Sequence, residues 1–362
     1  MKVIEYLKEF GLKKLTEEHF VKIKEYAEGL IVLNYDQIYS PKNDITRECR
    51  GLILDKDFNV VSRSFDRFFN LGEQPDTQSH IDWNKALCHE KIDGSLIRIY
   101  NWNSTWYIAT RGTAFAESVV NGFGITFKEL VLRGINCEEW EFQLVCDTSL
   151  DKDVTYICEI VSMENRVVKK YNQDALYFLS ARNNKTFEYV ENESRRNIIK
   201  LGVKFPKIMC FDTKESCENV VTHLKDLDEG YVLYQDGIPV CKIKSPVYVA
   251  VHNIRGEGLN PKRISQIVLT GETDEYLTYF PEDEKHFLPY IEAFEKLKCD
   301  MSKEYDKIAH YENQKDFALE ACKFSFSGVL FSVRKSGEDV MTCFEKCTEN
   351  SKIQMLASYL EK

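Results

Sequence analysis

Apolar residues recur at helical spacing in the first thirty positions, at Ile4, Leu7 and Phe10 and again at Phe20, Ile23, Ala27 and Leu30, which predicts helix there. Leu30-Ile31-Val32-Leu33 is then an unbroken apolar run, the pattern of a buried strand. Leu52-Ile53-Leu54 and the stretch 60–65 flank Asp55-Lys56-Asp57, and that arrangement predicts a hairpin. A second hairpin is predicted from 96–100 and 106–111 around the Asn-Ser turn at 103–104. Residues 115–146 read as helix with an acidic exposed face of Glu117, Glu129, Glu138 and Glu139. Strands follow over 154–161 and 176–181. A third hairpin runs from Glu229-Gly230-Tyr231-Val232-Leu233-Tyr234 through the tight Asp236-Gly237 turn into 239–245. Around Arg255-Gly256-Glu257-Gly258-Leu259-Asn260-Pro261 the character changes, and strand signals cease. Phe287, Ile291, Phe294, Leu297, Met301, Tyr305 and Ile308 form a helical stripe, continued by Phe317, Ala321 and Phe324 and closed by Ile353, Leu356 and Leu360. The expectation is an α+β domain over 1–254, with antiparallel sheets and flanking helices, followed by an all-helical domain over 255–362.

Composition narrows this picture. Hydrophobic residues make up 43% and charged residues 29%, the balance of a globular protein. The net charge of −10 excludes a general polyanion binder, so any nucleic acid must be met by a local basic cleft. No run of about 18 apolar residues offers a membrane span, and the charged first residues lack the apolar core of a signal peptide. The expected location is the cytoplasm, the host's if the chain is viral. Twelve cysteines are scattered without a C-x-x-C, which reads as reduced thiols. Cys343 and Cys347 stand one helical turn apart, but with no His or Cys grouped near them a metal clip is disfavoured.

The candidate chemistry centres on Lys91-Ile92-Asp93-Gly94, which ends a polar run and opens an apolar one. Alone, three such fixed residues occur by accident in about one chain in fifteen of this length, and the bland reading is an Asp-Gly turn joining two strands. Further along, Glu159 is a carboxylate inside an apolar strand, costly unless it meets a charge. Glu229 opens another strand. Lys242 and Lys244, two apart on a strand, point to one face and repel unless an anion sits between them. Asp66-Arg67-Phe68-Phe69-Asn70 interleaves cations with rings, either as a strand end with core phenylalanines or as a base- and phosphate-binding stretch. A lysine attacking a nucleotide's α-phosphate must lose its proton near neutral pH, so cations such as Arg67, Arg111, Lys242 and Lys244 are expected to depress its pKa.

The order decides between these readings. Lys-x-Asp-Gly, a strand glutamate in Cys158-Glu159-Ile160-Val161, then Glu229-Gly230-Tyr231-Val232, then Lys242-Ile243-Lys244-Ser245 resembles motifs I, III, IV and V of the covalent nucleotidyltransferases, the ligases and capping enzymes. Glu48-Cys49-Arg50-Gly51, Phe68-Phe69-Asn70-Leu71, Asn165-Arg166, Tyr248 and Ile291-Glu292-Ala293-Phe294 extend the resemblance to the phage T4 RNA ligase 1 family, over nearly the whole chain. The resemblance implies a nucleotidyltransferase (ATP-grasp-like ligase) domain before the helical one. It also implies an ATP-dependent RNA ligase that joins 5′-phosphate and 3′-hydroxyl ends through lysyl-AMP and adenylylated RNA.

Carried over by position, Lys91 would be the nucleophile, with Lys242 and Lys244 on the α-phosphate. Arg50, Arg67 and Arg111 would meet nucleotide phosphates and Phe69 would lie near the adenine. Glu90, Gly94, Val232 and Tyr248 would complete the nucleotide site, and Glu159 would bind the ribose. Glu229 would hold Mg²⁺ or Mn²⁺ or its water shell, and Asp274-Glu275 would serve a second metal. Arg67 and Arg111 replace family lysines, and Asp-Glu replaces Asp-Asp; both changes keep charge, although arginine favours bidentate phosphate contacts. The implied partner is RNA, in the form of broken tRNA, with a kinase–phosphatase to prepare the ends and the ligase itself a monomer. Two other readings compete: a DNA-joining or capping guanylyltransferase, and a non-catalytic RNA-binding protein with a degenerate pocket. The lack of strand signals after motif V disfavours the OB-fold that capping enzymes carry there.

Overall fold

A computed structural model describes residues 1–73, 78, 80–120, 124–256 and 259–360. The chain divides into two compact units, Met1–His252 and Asn253–Lys362. Positions 257–258 of the sequence junction lie outside the described residues.

The first unit holds three sheets. In the first, β1 (Val21–Glu25), β2 (Leu30–Tyr35), β3 (Arg50–Asp55) and β4 (Val60–Ser62) follow one another antiparallel. The second contains β7 (Ser95–Trp102), β8 (Thr105–Thr110), β9 (Val154–Val161) and β10 (Ala175–Asn183), in the order β10-β9-β7-β8. The third has the order β11-β6-β12-β13-β5, from β5 (Phe69–Asn70), β6 (Leu87–Glu90), β11 (Ile208–Met209), β12 (Gly230–Gln235) and β13 (Ile238–Lys244). All its pairs are antiparallel except β13 with β5, which is parallel and departs from the expectation.

Period-two alternation explains what each sheet buries. Cys88, Leu233, Cys241 and Ile243 enter one apolar core with Cys217. Ile97, Ile99, Tyr156, Cys158 and Ile160 enter another, beneath the helices Phe127–Gly134 and Glu139–Ser149. Between the sheets a third cluster gathers Phe65, Phe68, Ile157 and Tyr234, with Leu96, Leu179 and Val232 against it. Arg98, fully buried, ties the sheets at their backbone: it donates to the carbonyls of Gly51 and of Thr110, the latter at 2.6 Å.

Two predicted helices are shorter than their patterns. The helix Lys2–His19 ends where Phe20 turns left-handed (φ 53°), and Val21-Lys22-Ile23-Lys24 continues as β1. There pairing with β2 outweighs a stripe that fits either period. Within 115–146, helix begins only at Phe127, capped by Thr126 with Glu129 in a reciprocal box. The preceding stretch has Ala116 at φ 52° and a Val119–Thr126 bridge, and 121–123 lie outside the described residues.

The second unit is helical throughout its described residues: Pro261–Thr270, Thr273–Tyr279, Glu284–Ile308, Gln314–Ala321, Ser327–Ser336, Val340–Glu345 and Glu349–Leu360. Leu297, Met301, Phe317, Leu330, Phe344 and Leu356 form its core, as the helical stripe requires. Among the described residues no helix is long and apolar enough to cross a membrane.

Candidate active site

Lys91-Ile92-Asp93-Gly94 does not join neighbouring strands of one sheet. It is the crossing from β6, in the third sheet, to β7, in the second. The Lys91 amide donates to the Gly230 carbonyl, which extends the β6–β12 pairing by one residue. Gly94 passes against β9 so closely that a Cβ would stand 2.3 Å from the Ile160 carbonyl oxygen, so only glycine fits.

Asp93 is the clamp of this crossing. Its Oδ2 accepts the amides of Val168 (2.8 Å) and Lys169 (2.7 Å), and its Oδ1 accepts the Tyr248 hydroxyl at 2.6 Å. Burial and Glu229 raise its pKa against these hydrogen bonds. The Asn165-Arg166 pair shapes the loop that donates these amides: Asn165 Nδ2 donates to the Ile160 carbonyl, Ser95 Oγ donates to Asn165 Oδ1, and Arg166 Nε donates to the Val168 carbonyl. Tyr248 thus works through Asp93 and does not line the cleft; neither does Gly94.

The cleft itself is small, about 150 Å³, and opens to solvent. Lys91, Lys242, Lys244, Arg50, Glu90, Glu159 and Val232 line it together with residues that sequence reasoning missed: His89, Phe65, Phe68, Leu96, Leu179, Pro206 and Tyr234. Glu229, only 3% exposed, bridges two of the lysines: Oε2 to Lys91 Nζ at 2.6 Å and Oε1 to Lys244 Nζ at 2.8 Å. Glu90 instead faces Lys169 at 3.5 Å.

The electrostatics divide the lysines. For Lys91 burial acts to lower the pKa, but Glu229, Glu159 and Asp93 outweigh it and the net shift is upward. This corrects the expectation of a depressed lysine, because the nearest charge is a carboxylate. Lys242 is the depressed one, down to about 7 through burial and the cations Arg50, Lys91 and Lys244. Glu159 is pushed up to about 8 by burial, with Glu229 and Asp93 adding to the effect against Lys91 and Arg50. Glu229 is lowered, its two lysines overcoming burial.

Arg50 lies 5.3 Å from the Phe68 ring centroid, and Lys242 lies 5.2 Å from the same centroid. The Arg50 Nε is buried with no hydrogen-bond partner among the described residues, an orphaned donor suited to a phosphate. Phe68, not Phe69, is therefore the ring of this stretch that faces the cleft. Phe69 sits on β5 with its back turned, ringed by Lys42, Arg47 and Arg67 at 5.3, 6.0 and 5.4 Å.

Arg67 and Arg111 form a separate cluster outside the lining. Their guanidiniums lie 4.3 and 4.5 Å from the Tyr35 ring centroid. Arg67 donates to the carbonyls of Ser40 and Gln37, and Arg111 donates to Asn34 Oδ1 at 2.8 Å. Among the described residues neither pairs with a carboxylate. Asp274 and Glu275 are exposed in the first turn of Thr273–Tyr279, in the other unit. No group of three acidic, His or Cys residues able to hold a metal occurs among the described residues, Cys343 and Cys347 included.

With this geometry in hand, comparison gives the class. The family profile described as RNA ligase matches residues 48–248, and the chain belongs to that family. The particular relatives follow. A chain named bifunctional polynucleotide kinase/RNA ligase from Autographa californica nuclear polyhedrosis virus is 35% identical over 97% of this chain and 52% of its own length. The RNA ligase of Rhodothermus phage RM378 is 23% identical over 95% of this chain and 94% of its own. An archaeal ATP-dependent RNA ligase structure aligns with a TM-score of 0.44 and 15% identity, over 74% of this chain and 68% of that one. This chain spans about half the length of the viral relative.

Proposed function

We propose that this chain is an ATP-dependent RNA ligase acting through lysyl-AMP. The observation that carries the reading is the bridge from the buried Glu229 to Lys91 and Lys244, two lysines that line a cleft with Lys242 and with Arg50, whose Nε has no partner among the described residues. An anion entering that cleft meets three further cations and one nucleophile.

In the first step Lys91 Nζ forms a bond to the α-phosphorus of ATP and pyrophosphate leaves. Lys242 and Lys244 take the α-phosphate charge, and Arg50 uses its free donor on a phosphate oxygen. Lys91 is held as an ammonium before substrate arrives, and the proton it must lose passes to Glu229 Oε2, 2.6 Å away, as the nucleotide changes the balance of charge there. In the second step an oxygen of the RNA 5′-phosphate attacks the same phosphorus, and the bond to Lys91 breaks. In-line displacement brings that oxygen in from the side by which pyrophosphate left. Arg67 and Arg111, without carboxylate partners, suit either phosphate. In the third step the 3′-hydroxyl attacks the RNA phosphate and AMP departs.

A Mg²⁺ or Mn²⁺ ion would be held by Glu229 or its water shell and by the nucleotide's own phosphates, since the described residues build no protein cage. When bound, such an ion neutralises the leaving pyrophosphate. Asp274 and Glu275 offer two carboxylates of a set that needs other donors. The name of the viral relative supports a role beside an end-healing kinase in repair of broken RNA, tRNA among the candidates.

The test is labelling with α-labelled ATP or GTP and Mg²⁺, then a chase with 5′-phosphorylated RNA or DNA. Label from ATP released onto RNA is the expected result. Label from GTP alone points to a capping-type enzyme, transfer to DNA alone to a DNA ligase, and no label to a binding protein.

A further inference from the structure

His89 lines the cleft with a titratable side chain that neither the motif nor the three steps employ, and its surroundings are unusual. It stands on β6 two residues before Lys91, so the two side chains share a face, and its cross-strand neighbour is Val232. Only 6% of the residue is exposed. Its ring lies on that of Tyr234, with centroids 4.2 Å apart and planes 25° apart. The other walls nearby are apolar: Phe65, Phe68, Leu96, Leu179 and Val232.

A buried imidazole usually finds a hydrogen-bond partner. Among the described residues neither ring nitrogen of His89 nor the Tyr234 hydroxyl has a protein hydrogen-bond partner, and none of the three is sealed from solvent, so all are presented to the cleft. Burial and Arg195 lower the His89 pKa to about 4, so near neutrality the ring is uncharged, with one donor and one acceptor nitrogen. A ligand that brings a flat apolar body and a polar edge meets both needs of this end of the cleft.

We infer that His89, backed by Tyr234, is the nucleobase-reading group of the cleft, hydrogen-bonding the polar edge of the adenine while Phe65, Phe68, Leu96 and Val232 enclose its faces. The inference rests on the adenylyltransferase reading above and adds to it a specificity residue that acts by binding, not by chemistry. Its place fits that role: two residues along the chain from the nucleophile is about 6.6 Å, a span a nucleoside can bridge between its phosphate and its base.

Initial rates of covalent AMP formation at varied ATP and GTP separate the outcomes, with wild type, His89→Phe and His89→Gln in parallel. His89→Phe keeps a ring on Tyr234 but removes both nitrogens; it should raise KM for ATP about ten-fold, with the loss falling on KM, and narrow the preference for ATP over GTP. His89→Gln restores a donor and an acceptor and should recover part of the ATP affinity. Circular dichroism and thermal melting of each variant report folding. If wild type labels and a folded His89→Phe keeps the wild-type KM and preference, the inference fails while the ligase reading stands. Absence of labelling in wild type itself overturns the ligase reading and this inference with it. Equal losses of kcat and melting temperature in both variants would assign His89 a merely structural role.

Discussion

The two cationic clusters of the first unit are built on opposite principles. In the cleft, Lys91 and Lys244 are tied to one buried carboxylate, and Lys242 escapes that tie by tending toward neutrality. Around Tyr35, Arg67 and Arg111 are held by a ring face, carbonyls and an amide, with no carboxylate paired to them among the described residues. The first arrangement is compensated at rest and must be rearranged by an incoming phosphate, which is what a reaction centre needs. The second carries a standing positive charge on rigid planar groups and so suits holding a phosphate in place.

The comparison is broken most severely through Glu229. Glu229→Ala leaves Lys91 and Lys244 facing each other in a buried site, and removing one partner of such a pair costs about 3–5 kcal/mol. Chemical denaturation should show a lower midpoint, and adenylylation should fall at least about a hundred-fold. Glu229→Ala that labels at the wild-type rate would remove the cleft's special status.

Arg67→Ala and Arg111→Ala probe the other cluster. Each should weaken ATP by roughly ten-fold in KM, with the effect shrinking as salt rises, while the labelled residue stays the same. Fluorescence or calorimetric titration at two ionic strengths decides this, and an effect confined to kcat contradicts the proposed holding role.

Smaller effects come from titration. Glu159 has its folded pKa raised to about 8, so the folded state binds more protons than the unfolded between about pH 4.5 and 8, and stability falls as pH rises through that window. Lys242 has its folded pKa lowered to about 7, so the unfolded state binds more protons between about pH 7 and 10.5, and stability rises with pH there. Glu159→Gln should flatten the first slope and Lys242→Met the second, as read by denaturation midpoints across pH. Tyr248→Phe should cost about 1.5–3 kcal/mol of stability, the loss of one hydrogen bond to a charged group. It should also lower activity, because Asp93 would no longer be fixed on that side.

The sequence was most readable where chemistry and element type coincide. Glu159, Lys242 and Lys244 are set by spacing on strands and Lys91 and Glu229 at strand ends; the structure gathers four of them at one cleft, with Glu229 buried behind two of its lysines. The helical second half was readable because a stripe such as Leu297, Met301 and Ile308 has one period only. What was not readable depended on direction. Phe68 and Phe69 are adjacent in an extended stretch and face opposite ways, and no local signal says which one meets the cleft. His89 and Tyr234 were within reach of the same two-residue rule that paired Lys242 with Lys244, counted back from Lys91 and forward from Val232. Asp93, read as a turn former, is a buried acceptor of three hydrogen bonds from residues 168, 169 and 248, which no spacing along the chain reveals. The strand at 21–25 escaped because its apolar residues fit either period until β2 selects one.

The central claim is that Lys91 is the single nucleophile, and separating the first step from the last tests it most directly. Lys91→Ala should be incubated with α-labelled ATP and, in parallel, with RNA already carrying a 5′-adenylate. The account predicts a folded protein with no covalent AMP that still seals the pre-adenylylated strand, at least in part, because that step needs no new lysyl-AMP. A Lys91→Ala protein that still acquires AMP covalently contradicts it.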